Sequence, residues 1–238
     1  MSLALLSQEG LLFSLRFIHF LAGVMWIGLL YYFNFVQVPF FAETEAPVRT
    51  GAIMKLVPRA LWWFRWGAMF TFLSGLTIIV LRVVFGGGAV MGTSWGVSIS
   101  LGALIGIVMF LNVWLVIWPA QQIVIASTTT VAGGGAADPR AADAGARAFV
   151  ASRTNTLFSI PMLFFMGAAG HLTMFGKAAM SAGVPLGIAT LLVAAIEANV
   201  LFGKKGVGFS KVLEKPSSVV HVGLWLAVVL YLVVDLTL

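Results

Sequence analysis

The sequence predicts an all-α integral membrane protein: a six-transmembrane-helix bundle with both termini on the outer, periplasmic side. Three observations predict it. The chain is 61% hydrophobic and 9% charged, with a mean hydropathy of +1.05, whereas soluble domains carry roughly a quarter charged residues. Apolar runs of about 20 residues, the length a helix needs to cross a bilayer, recur along the chain. The segments between them alternate between basic and nearly uncharged, which gives each run a direction.

The runs fall near 11–38, 61–84, 97–119, 157–175, 184–202 and 217–236. The first exceeds about 20 residues, so it tilts or emerges from the bilayer. Arg16 interrupts it and no small-residue cleavage site follows, so it reads as a retained span, not a signal peptide. Pro39, Pro58, Pro119, Pro161, Pro185 and Pro216 sit near expected boundaries, and Pro161 is expected in the first turn of the fourth span, where a missing donor is tolerated. Between spans, "FGGGAVMGTSWG" (85–96) is glycine-rich and uncharged, and 176–183 is a short link. Segment 127–148, "STTTVAGGGAADPRAADAGARA", is rich in small residues and reads as a flexible loop. It joins two three-helix halves, about 1–126 and 149–238, of a single membrane domain 1–238.

Of the fourteen basic residues, only Arg16, Arg82 and Lys177 fall outside the first, third and fifth loops or their edges. The positive-inside rule therefore places those odd loops in the cytoplasm. The net charge of +6 matches loops facing an anionic leaflet, so lipid is the expected partner and nucleic acid is not. Trp62, Trp63 and Trp66 in "LWWFRW" form an aromatic belt at the inner interface. No cysteine is present, which excludes thiolate metal sites and covalent c-type haem. Glycine patterns for dinucleotides or nucleotide phosphates are missing too.

Three histidines remain: His19, His171 and His221. An ionisable side chain within a span is costly and marks a functional candidate. His19 is placed roughly 12 Å along the first span from its outer end, and His171 roughly 6 Å from the same face on the fourth. Two neutral imidazoles at similar depth on different helices can hold haem b without covalent attachment, as axial ligands of its iron. With both axial positions filled, the pair predicts electron transfer rather than oxygen binding. Gly23, one turn from His19, leaves room for a flat ring. Trp26 returns to the same face, and Arg16 offers a cation for a propionate. The competing reading is that each histidine hydrogen-bonds across helices, with the glycines serving close packing. His221, at the inner surface, is assigned to that role. Glu197 is either a proton relay or a side chain paired with Lys204 or Lys205, and Asn112 reads as a structural hydrogen-bonding residue.

Four ordered blocks carry a resemblance. "LRFIHFLAGVMWIGLLYYF", "LWWFRWGAMFTFLSGLTIIVL", "LGALIGIVMFLNVWLVIWPAQQIV" and "SRTNTLFSIPMLFFMGAAGH" are similar to the membrane domain of bacterial cytochrome-c-linked urate hydroxylases, the urate oxidase N-terminal family. The shorter element His19, Trp26, Gly28 also resembles the first helix of membrane haem-dependent protoporphyrinogen oxidases and of the copper-resistance protein D group. The resemblance implies an inner-membrane redox protein acting on a small organic substrate. The family's enzymes continue into a cytochrome c domain that this sequence does not carry, so electrons are expected to pass to a separate cytochrome c or a partner subunit. The alternative is a non-enzymatic haem-binding or structural subunit of a larger membrane complex. Copper transport is a third reading, disfavoured by sparse histidines and scattered methionines.

Overall fold

The computed structural model describes residues 3–175 and 182–238; Lys177 and most of the expected link 176–183 lie outside the described residues. These residues form α1 (Gln8–Glu43), α2 (Ala46–Lys55), α3 (Val57–Gly86), α4 (Ser94–Ala132), α5 (Ala141–His171), α6 (Gly183–Phe202), α7 (Phe209–Val212) and α8 (Pro216–Thr237). No strand occurs among the described residues. Five of the helices, α1, α3, α4, α6 and α8, are long and apolar enough to cross a membrane.

Local chemistry sets the ends. Ser7 caps α1 by accepting from the Gly10 N–H at 3.1 Å, and Thr93 caps α4 by accepting from Gly96 at 3.3 Å. Each satisfies a donor that a helix N-terminus leaves orphaned. Gly87 stops α3 at φ +75°, a conformation open to glycine at little cost. Helix extends into both ends of segment 127–148, leaving 133–140 as its non-helical stretch.

Pro39 and Pro119 do not end their helices. Each follows a widened π turn, Tyr32–Gln37 in α1 and Asn112–Ile117 in α4. Proline cannot donate to the carbonyl four residues back and its ring crowds that carbonyl. The helix absorbs this by slipping one residue: Val38 N–H reaches the Phe33 carbonyl, and Trp118 N–H reaches Val113. Pro161 likewise sits deep within α5 instead of in its first turn, because the polar stretch from Ala141 onward is already helical.

The long helices alternate in direction. α1 packs against α3, with Phe33 edge-on to Phe64 at 5.4 Å and Gly67 beneath Trp26. α3 meets α4 through the stacked rings of Phe72 and Phe110, 4.4 Å apart. α5 is the hub, lying against α1, α4, α6 and α8. Its buried surface includes Arg153, Thr154, Asn155, Thr156 and Ser159. A helix enclosed by other helices need not be apolar all round, which explains why α5 alone among the long helices is not apolar enough to qualify as a span. The end of the bundle where α1 begins is called the upper end below; α2, the 133–140 loop and α7 lie at the lower end.

Candidate functional site

His19 faces α3. Its ring lies against Gly75, where an added Cβ would come within 2.8 Å of Cε1. Its Nδ1 is 3.2 Å from Ser74 Oγ, which is itself 2.6 Å from the Phe70 carbonyl oxygen. A serine hydroxyl has one proton. With that proton given to Phe70, Ser74 accepts from His19 Nδ1–H. This network assigns the neutral ring the tautomer whose Nε2 lone pair is free, the form a metal needs. Gly23 faces Thr71 one turn below. Trp26 is buried, and its Nε1 has no hydrogen-bond partner. Arg16 is exposed, and its Nε donates to the Leu12 carbonyl of its own helix.

His171 is the last residue of α5 and is exposed. The structure does not join it to His19 by any hydrogen bond. Their heights can be compared through two contacts lower down, Tyr31 Oη to Ser159 Oγ at 2.9 Å and Asn34 Nδ2 to Ser152 Oγ at 2.8 Å. Counted along the antiparallel helices, the first puts the two histidines at one level and the second puts them about one turn, about 6 Å, apart. Above these contacts α1 and α5 part. The α5 stripe that carries Ser152 and Ser159 continues as Leu163, Gly167 and Gly170, all exposed, and a Cβ on either glycine would meet nothing within 4 Å. On α1, Phe20 and Val24 are 71% and 73% exposed. The result is an open apolar cleft between α1 and α5 at the upper end, with His171 and Arg16 near its top, while the His19 ring is turned to Gly75 and Ser74 of α3. These residues fit a flat apolar macrocycle with a cationic rim. The cleft and the open Gly167 and Gly170 carry that fit, whereas the His19 ring is held on the α3 side of its helix.

A second polar layer crosses the bundle centre. Asn112, at the start of the α4 π turn, uses both amide protons, one to Asn155 Oδ1 and one to Glu197 Oε2, each at 3.0 Å. Asn155 in turn donates to the Met109 carbonyl at 2.9 Å. Glu197 thus meets an amide. Neither Lys204 nor Lys205 pairs with it; the one ion pair among the described residues is Arg140–Asp138 in the lower loop. His221 is exposed and its Nδ1 lies 2.7 Å from the Ser217 carbonyl on its own helix. Below this layer a cavity of about 210 Å³ opens between the two π turns, lined by Asn34, Gln37, Gln121 and Ser152 among aromatic rings.

Sequence reasoning missed Ser74, Asn155 and Arg153. Ser74 and Asn155 act through partners on other helices, which spacing within one run cannot show. Arg153 sits in "SRTNT", a polar run inside a helix; its signal was that no turn residue separates it from the apolar stretch that follows.

A family model described as urate oxidase N-terminal matches residues 89–231. The matched stretch includes α4, α5, α6 and most of α8, with His171 and His221, while Arg16, His19, Gly23 and Trp26 precede it. No curated protein and no solved structure matches the chain.

Proposed function

The chain belongs to the urate oxidase N-terminal family, and on that premise we propose that it is a multi-pass redox protein of a bacterial inner membrane. It takes electrons from a small organic substrate and passes them to a separate cytochrome c or partner subunit. Family membership is the observation that carries this reading, and the upper cleft supports its location. Haem b, bound without covalent attachment, would supply one-electron transfer there. His19 and His171 would hold the iron.

The chain's own residues prepare the cleft. Ser74 fixes the His19 tautomer and ring plane, as the partner of a metal-bound imidazole commonly does. Gly167 and Gly170 keep side chains off the surfaces a flat ring would cover, while Gly23 lies against Thr71 of α3. Trp26 walls the floor, and Arg16 stands nearest the upper end, where a carboxylate edge would lie. In this reading α5 spans the membrane as the sixth helix, both termini face the periplasm, and the basic lower loops face the cytoplasm.

Optical spectra of the purified protein, oxidised and dithionite-reduced, test the proposal. A Soret band that is lost in both His19→Ala and His171→Ala is expected. A sample with no Soret band, or a band that survives both substitutions, overturns the haem reading.

A further inference from the structure

We propose that Arg153 and Lys205, gathered on the ring of Phe149, form a binding site for a phosphate-type oxyanion at the lower end of the bundle. Arg153 is 1% exposed, and its Nε and Nη1 are buried without a hydrogen-bond partner. Its Cζ lies 5.2 Å from the Phe149 ring centroid. Lys205, on the loop after α6, places its Nζ 4.4 Å from the same centroid. Two cations therefore share one ring, and like charges so placed repel each other.

No anion of the chain balances them. All eight Asp and Glu residues lie among the described residues, and only Asp138 makes an ion pair, with Arg140. Contact with an aromatic face returns only a small part of the cost of removing a guanidinium from water. A buried arginine is normally retained with a partner that takes its planar donors. A ligand oxyanion would be that partner: its oxygens accept from the N–H groups of the Arg153 guanidinium, and Lys205 closes over it from the solvent side. Asn199, near the end of α6 that leads into the Lys205 loop, has a buried Nδ2 that also lacks an acceptor. Lys204, Lys211 and Lys215 are exposed nearby in sequence, and such a basic rim raises the local concentration of anions. The site is independent of the histidine cleft, because it lies at the opposite end and uses none of its residues.

The oxyanion is either a lipid headgroup phosphate or a free phosphate, and one experiment separates them. The full chain is delipidated in mild detergent and its thermal unfolding followed with phosphatidylglycerol, with phosphatidylcholine, with inorganic phosphate, and with chloride at equal ionic strength. The wild type is expected to gain roughly 2–4 °C or more in Tm with phosphatidylglycerol or inorganic phosphate, and nothing comparable with phosphatidylcholine or chloride. Response to phosphatidylglycerol alone identifies a headgroup; response to inorganic phosphate identifies a free anion. Arg153→Gln abolishes the shift and Lys205→Gln at least halves it. Lys205 is exposed, so its variant folds and decides the matter even where Arg153→Gln does not. No shift with either probe, an equal shift with phosphatidylcholine or chloride, or an undiminished shift in Lys205→Gln overturns the proposal.

Discussion

Ser74 has one proton, and its 2.6 Å approach to the Phe70 carbonyl decides where that proton goes. The consequence reaches His19, whose Nδ1 then donates and whose Nε2 is left bare. Ser74 is thus a positioning residue. In Ser74→Ala the ring keeps its place against Gly75 but loses its fixed tautomer, and iron affinity is expected to fall about 10–100-fold. Titration with haem, read in the Soret region, measures this, and Ser74→Thr, which keeps the hydroxyl, is expected to restore most of it. Unchanged affinity in Ser74→Ala would show that the serine merely packs. Asn112 poses a different balance. One amide serves two acceptors on two other helices, so Asn112→Leu strands both at once. A single hydrogen bond between membrane helices averages about 0.6 kcal/mol, but stranding buried acceptors costs about 1–3 kcal/mol. Denaturant unfolding in mixed micelles is expected to show a loss in the larger range. At this scale the sequence was half legible. A histidine inside an apolar run stands out by cost alone; its serine partner, 55 residues away on another helix, does not.

At the scale of elements, three prolines explain the departures from regular helix. Pro39 and Pro119 open π turns that turn Asn34 and Asn112 toward α5. The sequence shows the prolines but not the outcome, since a proline after an apolar run equally fits a helix boundary. Pro161 has a subtler effect. Its missing N–H leaves the Leu157 carbonyl without its usual donor, and that carbonyl faces Gly223 of α8. A Cβ at Gly223 would lie 2.8 Å from the Leu157 oxygen and 2.6 Å from Ile160 Cδ1. Glycine therefore lets α8 close against α5 at the point where α5 has a spare acceptor, and a Cα–H contact can use it. Gly223→Ala is expected to force the helices apart and cost about 1–3 kcal/mol, the usual range for overpacking. Thermal unfolding in detergent measures it. An unchanged Tm would mean that α8 slides freely and that its close approach is not what holds this pair.

At the scale of the whole molecule, the apolar runs were legible because bilayer thickness sets a length that composition can be scanned for. The hub was not. α5 is rich in Arg, Asn, Thr and Ser where it is most enclosed, so hydropathy is lowest where burial within the protein is greatest. The direction expected across the membrane rests on charge instead. The basic residues crowd the lower end, in and around α2, the 133–140 loop and the 203–215 segment, while the 87–93 connection at the upper end has none. Translocating the lower loops would carry that charge against the positive-inside bias. Because the chain has no cysteine, single introduced thiols report direction without background. Ala137→Cys in the lower loop and Ala89→Cys in the upper connection are both exposed sites. An impermeant maleimide is expected to label Ala89→Cys in intact spheroplasts and Ala137→Cys only in inverted vesicles. The reverse pattern would invert the bundle, move the histidine cleft to the cytoplasmic side, and require an electron acceptor there in place of a periplasmic cytochrome. Labelling of both thiols from one side would mean that α4, which separates them, does not cross.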